Sequence, residues 1–358
     1  MTTLLFILGL VILIIGAESL VRGASRLAAS LGISPLIIGL TVVAFGTSSP
    51  EMAVSVISSI NHQADISLGN VIGSNIFNVL FILGLSALIA PLLVSRQLIR
   101  LDVPIMIGCS FLVLLMSLGG NISRLDGIIL LAGIIAYTAF LVREGKKEKK
   151  APADEFAREY GQKGKKTVIF DILLVMAGLA MLVLGSRWLV NGAVYFAQYF
   201  GVSELIIGLT IVAVGTSLPE VATSVVASAR GERDIAVGNI VGSNIFNLLA
   251  VLGLAGIFSP EGIQVSKSVL NFDMPVMIAV AAACLPIFFT GNIIARWEGG
   301  LFLVYYIAYT LYIVLSATNN YLIRTFVPVM IWFVMPLTAL TLIVLFLRSA
   351  RKNRVEKL

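Results

Sequence analysis

Long apolar runs separated by short polar breaks make up most of the chain. Eleven such runs begin near positions 3, 34, 66, 98, 125, 167, 203, 235, 269, 296 and 324. Each is close to the roughly 20 residues that an α-helix needs to cross the hydrocarbon layer of a bilayer. The pattern therefore predicts an all-α integral membrane protein in which every run is a transmembrane helix.

The apolar runs fall into two similar halves. LVRGASRLAASLGISPLIIGLT at 20–41 aligns with LVNGAVYFAQYFGVSELIIGLT at 189–210, and DISLGNVIGSNIFNVL at 65–80 aligns with DIAVGNIVGSNIFNLL at 234–249, both at an offset of 169 residues. Each half holds five predicted spans, so the second half must enter the membrane from the opposite side. We therefore expect a ten-helix core of two inverted five-helix repeats, followed by an eleventh C-terminal transmembrane helix.

Charged residues indicate the boundaries and the orientation. The predicted parts are a first five-helix repeat (1–142), a basic cytoplasmic linker (143–166), a second, inverted repeat (167–315), and an extra helix with a basic tail (316–358). With the linker in the cytoplasm, 21 Lys and Arg residues lie in cytoplasmic loops and 3 in outer loops. Such a bias predicts an outer N-terminus and a cytoplasmic C-terminus, in the plasma or inner membrane.

Composition excludes several function classes. With 58% apolar and 12% charged residues, the chain is too apolar for a soluble protein. The net charge of +6 comes mainly from the linker and the tail, so it indicates topology rather than nucleic-acid binding. Cys109 and Cys284 both lie inside apolar runs, and nothing in the sequence suggests a disulfide. His62 is the single histidine, and one histidine makes neither a metal site nor a catalytic triad. The sequence also contains no nucleophile–base set and no nucleotide-binding loop. We expect neither an enzyme nor a cofactor.

Each repeat carries a proline and a glutamate inside its second span, in GTSSPE at 46–51 and GTSLPE at 215–220. Proline has no N–H, so it releases the carbonyl four residues earlier, and such backbone is tolerated at membrane depth only inside protein or beside a wet cavity. Glu51 and Glu220 are carboxylates where a bilayer tolerates charge least, which marks a functional site. The two motifs are predicted to meet near the membrane midplane.

Helical spacing places more polar residues on the same faces. The stripes are Thr41, Ala44, Ser48, Glu51, Ser55 and Ser58; Thr210, Ala213, Ser217, Glu220, Ser224 and Ser228; Ser67, Asn70, Ser74 and Asn78; and Asn239, Ser243 and Asn247. Every potential ligand is an oxygen, the donor type that hard cations such as Ca²⁺ and Na⁺ prefer.

Other polar residues have structural interpretations. Asn70 and Asn239 are expected to bond to a neighbouring helix. Asn75 and Asn244 lie off the stripes, which favours a bond between helices over ligation of a cation.

Two further expectations concern charged residues. Asp102 and Asp273 each stand two residues before a proline at the start of a span, the pattern of a helix N-cap. Glu18 and Arg187 occupy equivalent positions in the two repeats, and a pair across the pseudo-two-fold axis is one interpretation.

GTSSPE with GSNIFN, repeated as GTSLPE with GSNIFN, resembles the two α-repeats of the sodium/calcium exchanger family within the calcium/cation antiporter superfamily. The resemblance covers all ten repeat spans and implies an antiporter that exchanges Na⁺ for Ca²⁺ by alternating access. The short linker implies a minimal exchanger of prokaryotic type. In some relatives an aspartate stands where this chain has Asn247.

The resemblance also implies the ion ligands, by motif position. Glutamates would bind both ions, and threonines and alanines would offer carbonyls. Serines would help to bind Na⁺, and asparagines would complete the centre. The implied set is Glu51, Glu220, Thr47, Thr216, Ser48, Ser217, Ser74, Ser243, Asn78, Asn247, Ala44 and Ala213.

Two alternatives stay open. A proton-coupled Ca²⁺ antiporter could use the same glutamates, although the surrounding hydroxyl and amide oxygens suit Na⁺ better. A cation channel could also select ions with carboxylates, although here one chain supplies both halves of the site. The expected partners are Ca²⁺, Na⁺ and the lipid bilayer, with no nucleic acid.

Overall fold

A computed structural model describes residues 2–147, 165–202, 204–207, 210–211, 213–341 and 343–344, and nearly all of this backbone is helical. The helices are, in chain order, α1 (Thr2–Leu31), α2 (Pro35–Thr47), α3 (Ser49–Ile60), α4 (Ile66–Ile89), α5 (Leu98–Ser117), α6 (Arg124–Glu144), α7 (Val168–Tyr199), α8 (Leu218–Ala229), α9 (Arg233–Phe258), α10 (Val269–Phe289), α11 (Arg296–Ala317) and α12 (Ile323–Thr341).

Nine of these helices, all except α2, α3 and α8, are long and apolar enough to cross a bilayer within the described ranges. Helices α2 and α3 together make one broken span, bent by 45°. The seventh predicted span is described as two short turns, Glu204–Ile207 and Ala213–Gly215, followed by α8. An all-α membrane fold is therefore confirmed, while most of the predicted linker and the basic tail lie outside the described residues.

The loops contain four two-residue strands that the apolar pattern did not predict, because a two-residue element leaves no periodic signal. They are β1 (Leu92–Leu93), β2 (Asn121–Ile122), β3 (Ile263–Gln264) and β4 (Ile293–Ile294). Strand β1 pairs antiparallel with β4, and β2 pairs antiparallel with β3. Each small sheet therefore joins a loop of the first repeat to a loop of the second.

These strand pairs place equivalent loops at opposite ends of the molecule. Strand β1 precedes α5 and β2 follows it, so the two strands lie at opposite ends of this span. Strand β3 is the repeat equivalent of β1, yet it pairs with β2. The inversion of the repeats remains an inference, and this placement supports it.

Glycines let α1 and α7 pack closely in antiparallel orientation. They recur every seven residues, at Gly9, Gly16 and Gly23 on α1 and at Gly178, Gly185 and Gly192 on α7. A Cβ atom at Gly16 would lie 2.9 Å from the Cβ atom of Met181 and 3.0 Å from the carbonyl oxygen of Gly178. Small residues allow such close approach where apolar burial cannot drive helix association.

The spans that carry the polar stripes lie at the centre of the molecule. Helices α4 and α9 are the most deeply buried spans, whereas none of the side chains that the structure describes in α12 is buried. Large apolar side chains such as Leu115 and Leu125 face outward, as expected for a surface that contacts lipid. The core therefore packs around the two GSNIFN segments.

Candidate cation-binding site

Both GTS-x-PE motifs break their helices at the serine. The backbone of Ser48 has φ −78° and ψ 4°, and that of Ser217 has φ −88° and ψ 7°. The proline that follows sits in the first turn of the next helix, where its missing N–H costs nothing. Each glutamate comes directly after its proline, so the break fixes where the carboxylate begins.

The two breaks meet, and each serine bonds the glutamate of the other repeat. The hydroxyl of Ser217 donates to Oε1 of Glu51 at 2.8 Å, and the hydroxyl of Ser48 donates to Oε1 of Glu220 at 3.1 Å. Both glutamates are completely buried, with 0% and 1% of their surface exposed. The structure thus brings the two predicted carboxylates together.

Five oxygens of the predicted ligand set are buried and have no hydrogen-bond partner. They are Oε2 of Glu51, Oε2 of Glu220, Oγ of Ser243, Oδ1 of Asn78 and Oδ1 of Asn247. Leaving a buried polar or charged atom unpaired is costly, so such atoms indicate a ligand that completes them. The five oxygens come from both repeats.

The threonines of the motifs reach across to the opposite repeat. The hydroxyl of Thr47 donates to Oδ1 of Asn239 at 3.0 Å, and that of Thr216 donates to Oδ1 of Asn70 at 3.4 Å. These hydroxyls are therefore engaged with protein, so a role for the threonines as ligands rests on their carbonyls. Of the remaining predicted ligands, Ser74 lies with its hydroxyl 3.2 Å from that of Ser217. Because the hydrogen of Ser217 goes to Glu51, Ser74 is the donor in this contact.

Asn70 and Asn239 bond to neighbouring helices, as the sequence predicts. The amide of Asn70 donates to Oγ of Ser55 at 3.0 Å, and that of Asn239 donates to Oγ of Ser224 at the same distance. Both pairs join the broken span of a repeat to the span that follows it. They hold each glutamate-bearing helix against its partner.

The predicted alanine carbonyls are the least supported ligands. The carbonyl of Ala44 accepts a hydrogen bond from the N–H of Ser48 at 3.0 Å. One of its two lone pairs therefore already has a donor in this structure. Ala213 begins the short turn Ala213–Gly215.

Ser186 on α7 is a residue of this region that sequence reasoning missed. Its hydroxyl donates to the carbonyl of Gly215 at 2.7 Å, which is the carbonyl that Pro219 releases. The equivalent residue of the first repeat is Ala17. In the alignment of the two repeats, the serine of the second repeat stands where the first repeat has an alanine. That difference was the signal available in the sequence.

A wide helical turn begins at each of the two candidate asparagine ligands. A π-helical segment runs over Asn78–Leu83 in α4, and another runs over Asn247–Val251 in α9. Such segments occur mostly as single turns inside α-helices and are frequent at functional sites. Their presence at equivalent positions in both repeats ties the asparagines to a shared local geometry.

Asp102 and Asp273 are not helix N-caps, so that prediction was wrong. Each has helical backbone and ends a π-helical turn, Leu98–Asp102 or Val269–Asp273, because that turn starts the helix several residues before the proline. The phenol of Tyr137 donates to Asp102 at 2.9 Å, and that of Tyr309 donates to Asp273 at 2.9 Å. The carboxyls therefore tie each fourth span to the fifth.

Glu18 pairs with Arg22 and Arg230 instead of with Arg187. Arg22 lies one helical turn along α1, and Arg230 directly follows α8, which packs against α1. Nearby, the hydroxyl of Ser25 donates to Glu232 at 2.7 Å. These contacts join α1 to the loop after α8.

Comparison with known proteins identifies relatives over most of the chain. The sequence model of the family described as sodium/calcium exchanger protein matches residues 1–143 and 170–315. The putative antiporter CaxA of Alkalimonas amylolytica is 40% identical over 313 residues, which cover 86% of this chain and 97% of that protein. The sodium/calcium exchanger MaX1 of Methanosarcina acetivorans is 35% identical over 339 residues, covering 86% and 96%.

A solved structure has the same fold. The sodium/calcium exchanger of Methanococcus jannaschii superposes with a TM-score of 0.74 at 32% identity, over 86% of this chain and 96% of its own. The relatives are exchangers and antiporters, not enzymes. Together with the site geometry, these matches show that the chain belongs to the sodium/calcium exchanger family.

Proposed function

We propose that this chain exchanges Na⁺ for Ca²⁺ across the membrane by alternating access, with the ions bound between Glu51 and Glu220. The observation that carries the proposal is the group of five buried oxygens without partners, two of them from carboxylates. Carboxylate, hydroxyl and amide oxygens are ligands of hard cations. Relatives named sodium/calcium exchangers support the choice of ions.

The proposed ligands divide by chemistry. The carboxylates of Glu51 and Glu220 bind either ion, and the amide oxygens of Asn78 and Asn247 complete the centre. Hydroxyls of Ser48, Ser217, Ser74 and Ser243 and carbonyls of Thr47 and Thr216 extend the set, with Ala44 and Ala213 at its edge. Ca²⁺ takes six to eight oxygens, so one ion requires ligands from both repeats.

Charge neutrality accounts for exchange instead of leak. Within the described parts of the chain, His, Cys, Asp and Glu side chains nowhere come together in a group of three or more that could hold a metal ion. The proposed site accordingly contains two carboxylates, and its other ligands are neutral oxygens. The two glutamates neutralise one Ca²⁺ or two Na⁺, so both loaded states carry no net buried charge. An empty site with two ionised carboxylates would be heavily penalised, because unpaired buried charge is costly.

We further propose that the N-terminus lies outside and the linker in the cytoplasm, in the inner membrane. The excess of Lys and Arg in the loops assigned to the cytoplasm supports this orientation. A relative from Escherichia coli, 38% identical over 287 residues, is named inner membrane protein YrbG.

Flux into proteoliposomes tests the function. An outward Na⁺ gradient is expected to drive ⁴⁵Ca²⁺ uptake by the wild-type protein. Glu51→Gln and Glu220→Gln are each expected to lower uptake by about 100-fold or more, because loss of a buried carboxylate partner costs several kcal/mol. Glu261→Gln, in an exposed loop, is the matched control and is expected to transport like the wild type.

Different outcomes separate the alternatives. Uptake driven by a pH gradient without Na⁺ would support a proton-coupled antiporter instead. Conductance far above carrier rates in a planar bilayer would support a channel. Normal uptake by both glutamine variants would overturn the assignment of the site.

A further inference from the structure

Four buried asparagines meet between α4 and α9, and we call Asn75, Asn78, Asn244 and Asn247 the amide cluster. Each is at most 2% exposed. Asn78 and Asn247 are proposed ion ligands, whereas Asn75 and Asn244 lie off the polar stripes. All four contacts within the cluster run from one repeat to the other.

Two backbone carbonyls fix the orientation of the outer pair. Nδ2 of Asn75 donates to the carbonyl of Asn244 at 3.3 Å, and Nδ2 of Asn244 donates to the carbonyl of Asn75 at 3.4 Å. A carbonyl can only accept, so each side chain must present its nitrogen there. The side-chain oxygens of Asn75 and Asn244 consequently point elsewhere.

Methionine sulfurs accept from the same two nitrogens. Nδ2 of Asn75 lies 3.8 Å from Sδ of Met277, and Nδ2 of Asn244 lies 3.4 Å from Sδ of Met106. The two methionines are buried and occupy equivalent positions in the repeats. Each outer amide thus has an acceptor for both of its hydrogens, so turning it over would lose two contacts.

The fixed oxygens orient the inner pair in turn. Nδ2 of Asn247 donates to Oδ1 of Asn75 at 3.2 Å, and Nδ2 of Asn78 donates to Oδ1 of Asn244 at 3.0 Å. Because the nitrogen of each inner amide is taken, its oxygen must point away from the cluster. Oδ1 of Asn78 and Oδ1 of Asn247 are the oxygens that have no protein partner.

We propose that Asn75 and Asn244 are positioning residues that fix the amide orientation of Asn247 and Asn78, so that oxygen and not nitrogen is offered to the transported cation. This inference rests on the proposed function. An amide turned the other way would aim its hydrogens at a cation and repel it. We call this series of hydrogen bonds, from backbone carbonyl to outer amide to inner amide, the relay. Because the relay starts from backbone carbonyls, it fixes the amide orientation without needing a bound ion.

Equilibrium ⁴⁵Ca²⁺ binding to the purified full chain in detergent tests the relay. Asn75→Ala and Asn244→Ala are each expected to weaken Ca²⁺ binding by about tenfold, the effect of losing one well-aimed neutral oxygen. Ser117→Ala is the control, because that buried hydroxyl bonds the Val113 carbonyl of its own helix at 2.7 Å, and its affinity is expected to stay within about twofold of wild type. Thermal unfolding without Ca²⁺ reports any loss of stability separately.

A second background separates orientation from packing. A carboxylate has two equivalent oxygens, so Asn247→Asp makes the orientation of that side chain irrelevant. Adding Asn75→Ala to Asn247→Asp is expected to change Ca²⁺ affinity by less than about twofold, against about tenfold in the wild-type background. Asn244→Ala with Asn78→Asp is the mirror experiment.

The loss of Ca²⁺ affinity in the two backgrounds distinguishes a positioning role of Asn75 from a role in packing. An equal loss of affinity in both backgrounds would show that Asn75 only packs, and no loss in either would show that the amides orient themselves. Either result overturns the inference while leaving the proposed function standing. Absence of Ca²⁺ binding to the wild type would overturn the proposed function and the inference with it.

Discussion

Ser217 and Glu51 lie 166 positions apart in the chain, yet the serine hydroxyl donates to the glutamate carboxylate at 2.8 Å. The equivalent pair, Ser48 and Glu220, is joined at 3.1 Å. Because each carboxylate is held by the opposite repeat, neither repeat contains a complete half-site. The proposed cation site therefore depends on how the two repeats pack together.

Removing either crossing hydroxyl should weaken Na⁺ binding. Ser217→Ala and Ser48→Ala each delete a proposed oxygen ligand and a hydrogen bond to a carboxylate, and bonds to charged groups contribute about 1.5–3 kcal/mol. We expect the Na⁺ concentration for half-maximal Ca²⁺ exchange to rise by about tenfold or more. Ser110→Ala is the control, because that buried hydroxyl bonds the Met106 carbonyl of its own helix at 2.9 Å. Unchanged Na⁺ dependence in both site variants would contradict the proposed role.

The strand pairs predict which loops share a side of the membrane. Leu93 and Gln264 occupy equivalent places in the two repeats, and both are exposed. If the repeats are inverted, a single cysteine at Leu93 should react with a membrane-impermeant thiol reagent only from the cytoplasmic side, and one at Gln264 only from the outer side.

The labelling background needs two substitutions and allows one further check. The buried native thiols, Cys109 and Cys284, are replaced by alanine before labelling. A cysteine at Ile293, the strand partner of Leu93, is expected to label from the same side as Leu93→Cys. Labelling of the Leu93 and Gln264 cysteines from one common side would exclude the inverted topology.

The glycines at which α1 and α7 pack together form a seam, and this glycine seam should not tolerate a methyl group. A Cβ atom at Gly185 would lie 2.7 Å from the backbone nitrogen of Leu13, so Gly185→Ala must push the helices apart. Overpacking of this kind typically costs about 1–3 kcal/mol, so thermal unfolding in detergent should shift to lower temperature. Gly108→Ala on α5 has no atom within 4 Å of the new carbon and should leave stability unchanged or higher. A similar shift for both variants would argue against the seam.

The bond from Ser186 to Gly215 should stabilise the second repeat. Ser186→Ala leaves a proline-released carbonyl without its donor, and an unsatisfied buried polar group costs about 1–3 kcal/mol. We expect a lower unfolding temperature than for Ser110→Ala, which removes a donor from a carbonyl of its own helix. Equal effects of the two substitutions would show that the Gly215 carbonyl finds another partner.

Much of the candidate site could be predicted because its signals are local. A proline followed by Glu51 or Glu220 stands out against an apolar run, and helical spacing lines up Ser48 and Ser217 with the glutamates. The role of Asp102 could not be predicted this way, because a carboxyl two residues before a proline has the pattern of a helix N-cap. A tyrosine on the next span decided its role instead, and the two-residue strands were equally invisible to periodicity.

By itself, the sequence determined the membrane class, the number of apolar runs, the duplication and the pair of buried carboxylates. These properties follow from hydrophobicity, helical period and repeat offset, which are read within one segment or between two aligned segments. Only the tertiary structure decided that Ser217 donates a hydrogen bond to Glu51 and that Ser186 donates one to the Gly215 carbonyl. It also decided which atom of each inner amide in the cluster has no protein partner. Those outcomes depend on distances between groups more than 20 positions apart, and packing of the repeats, not local pattern, sets such distances.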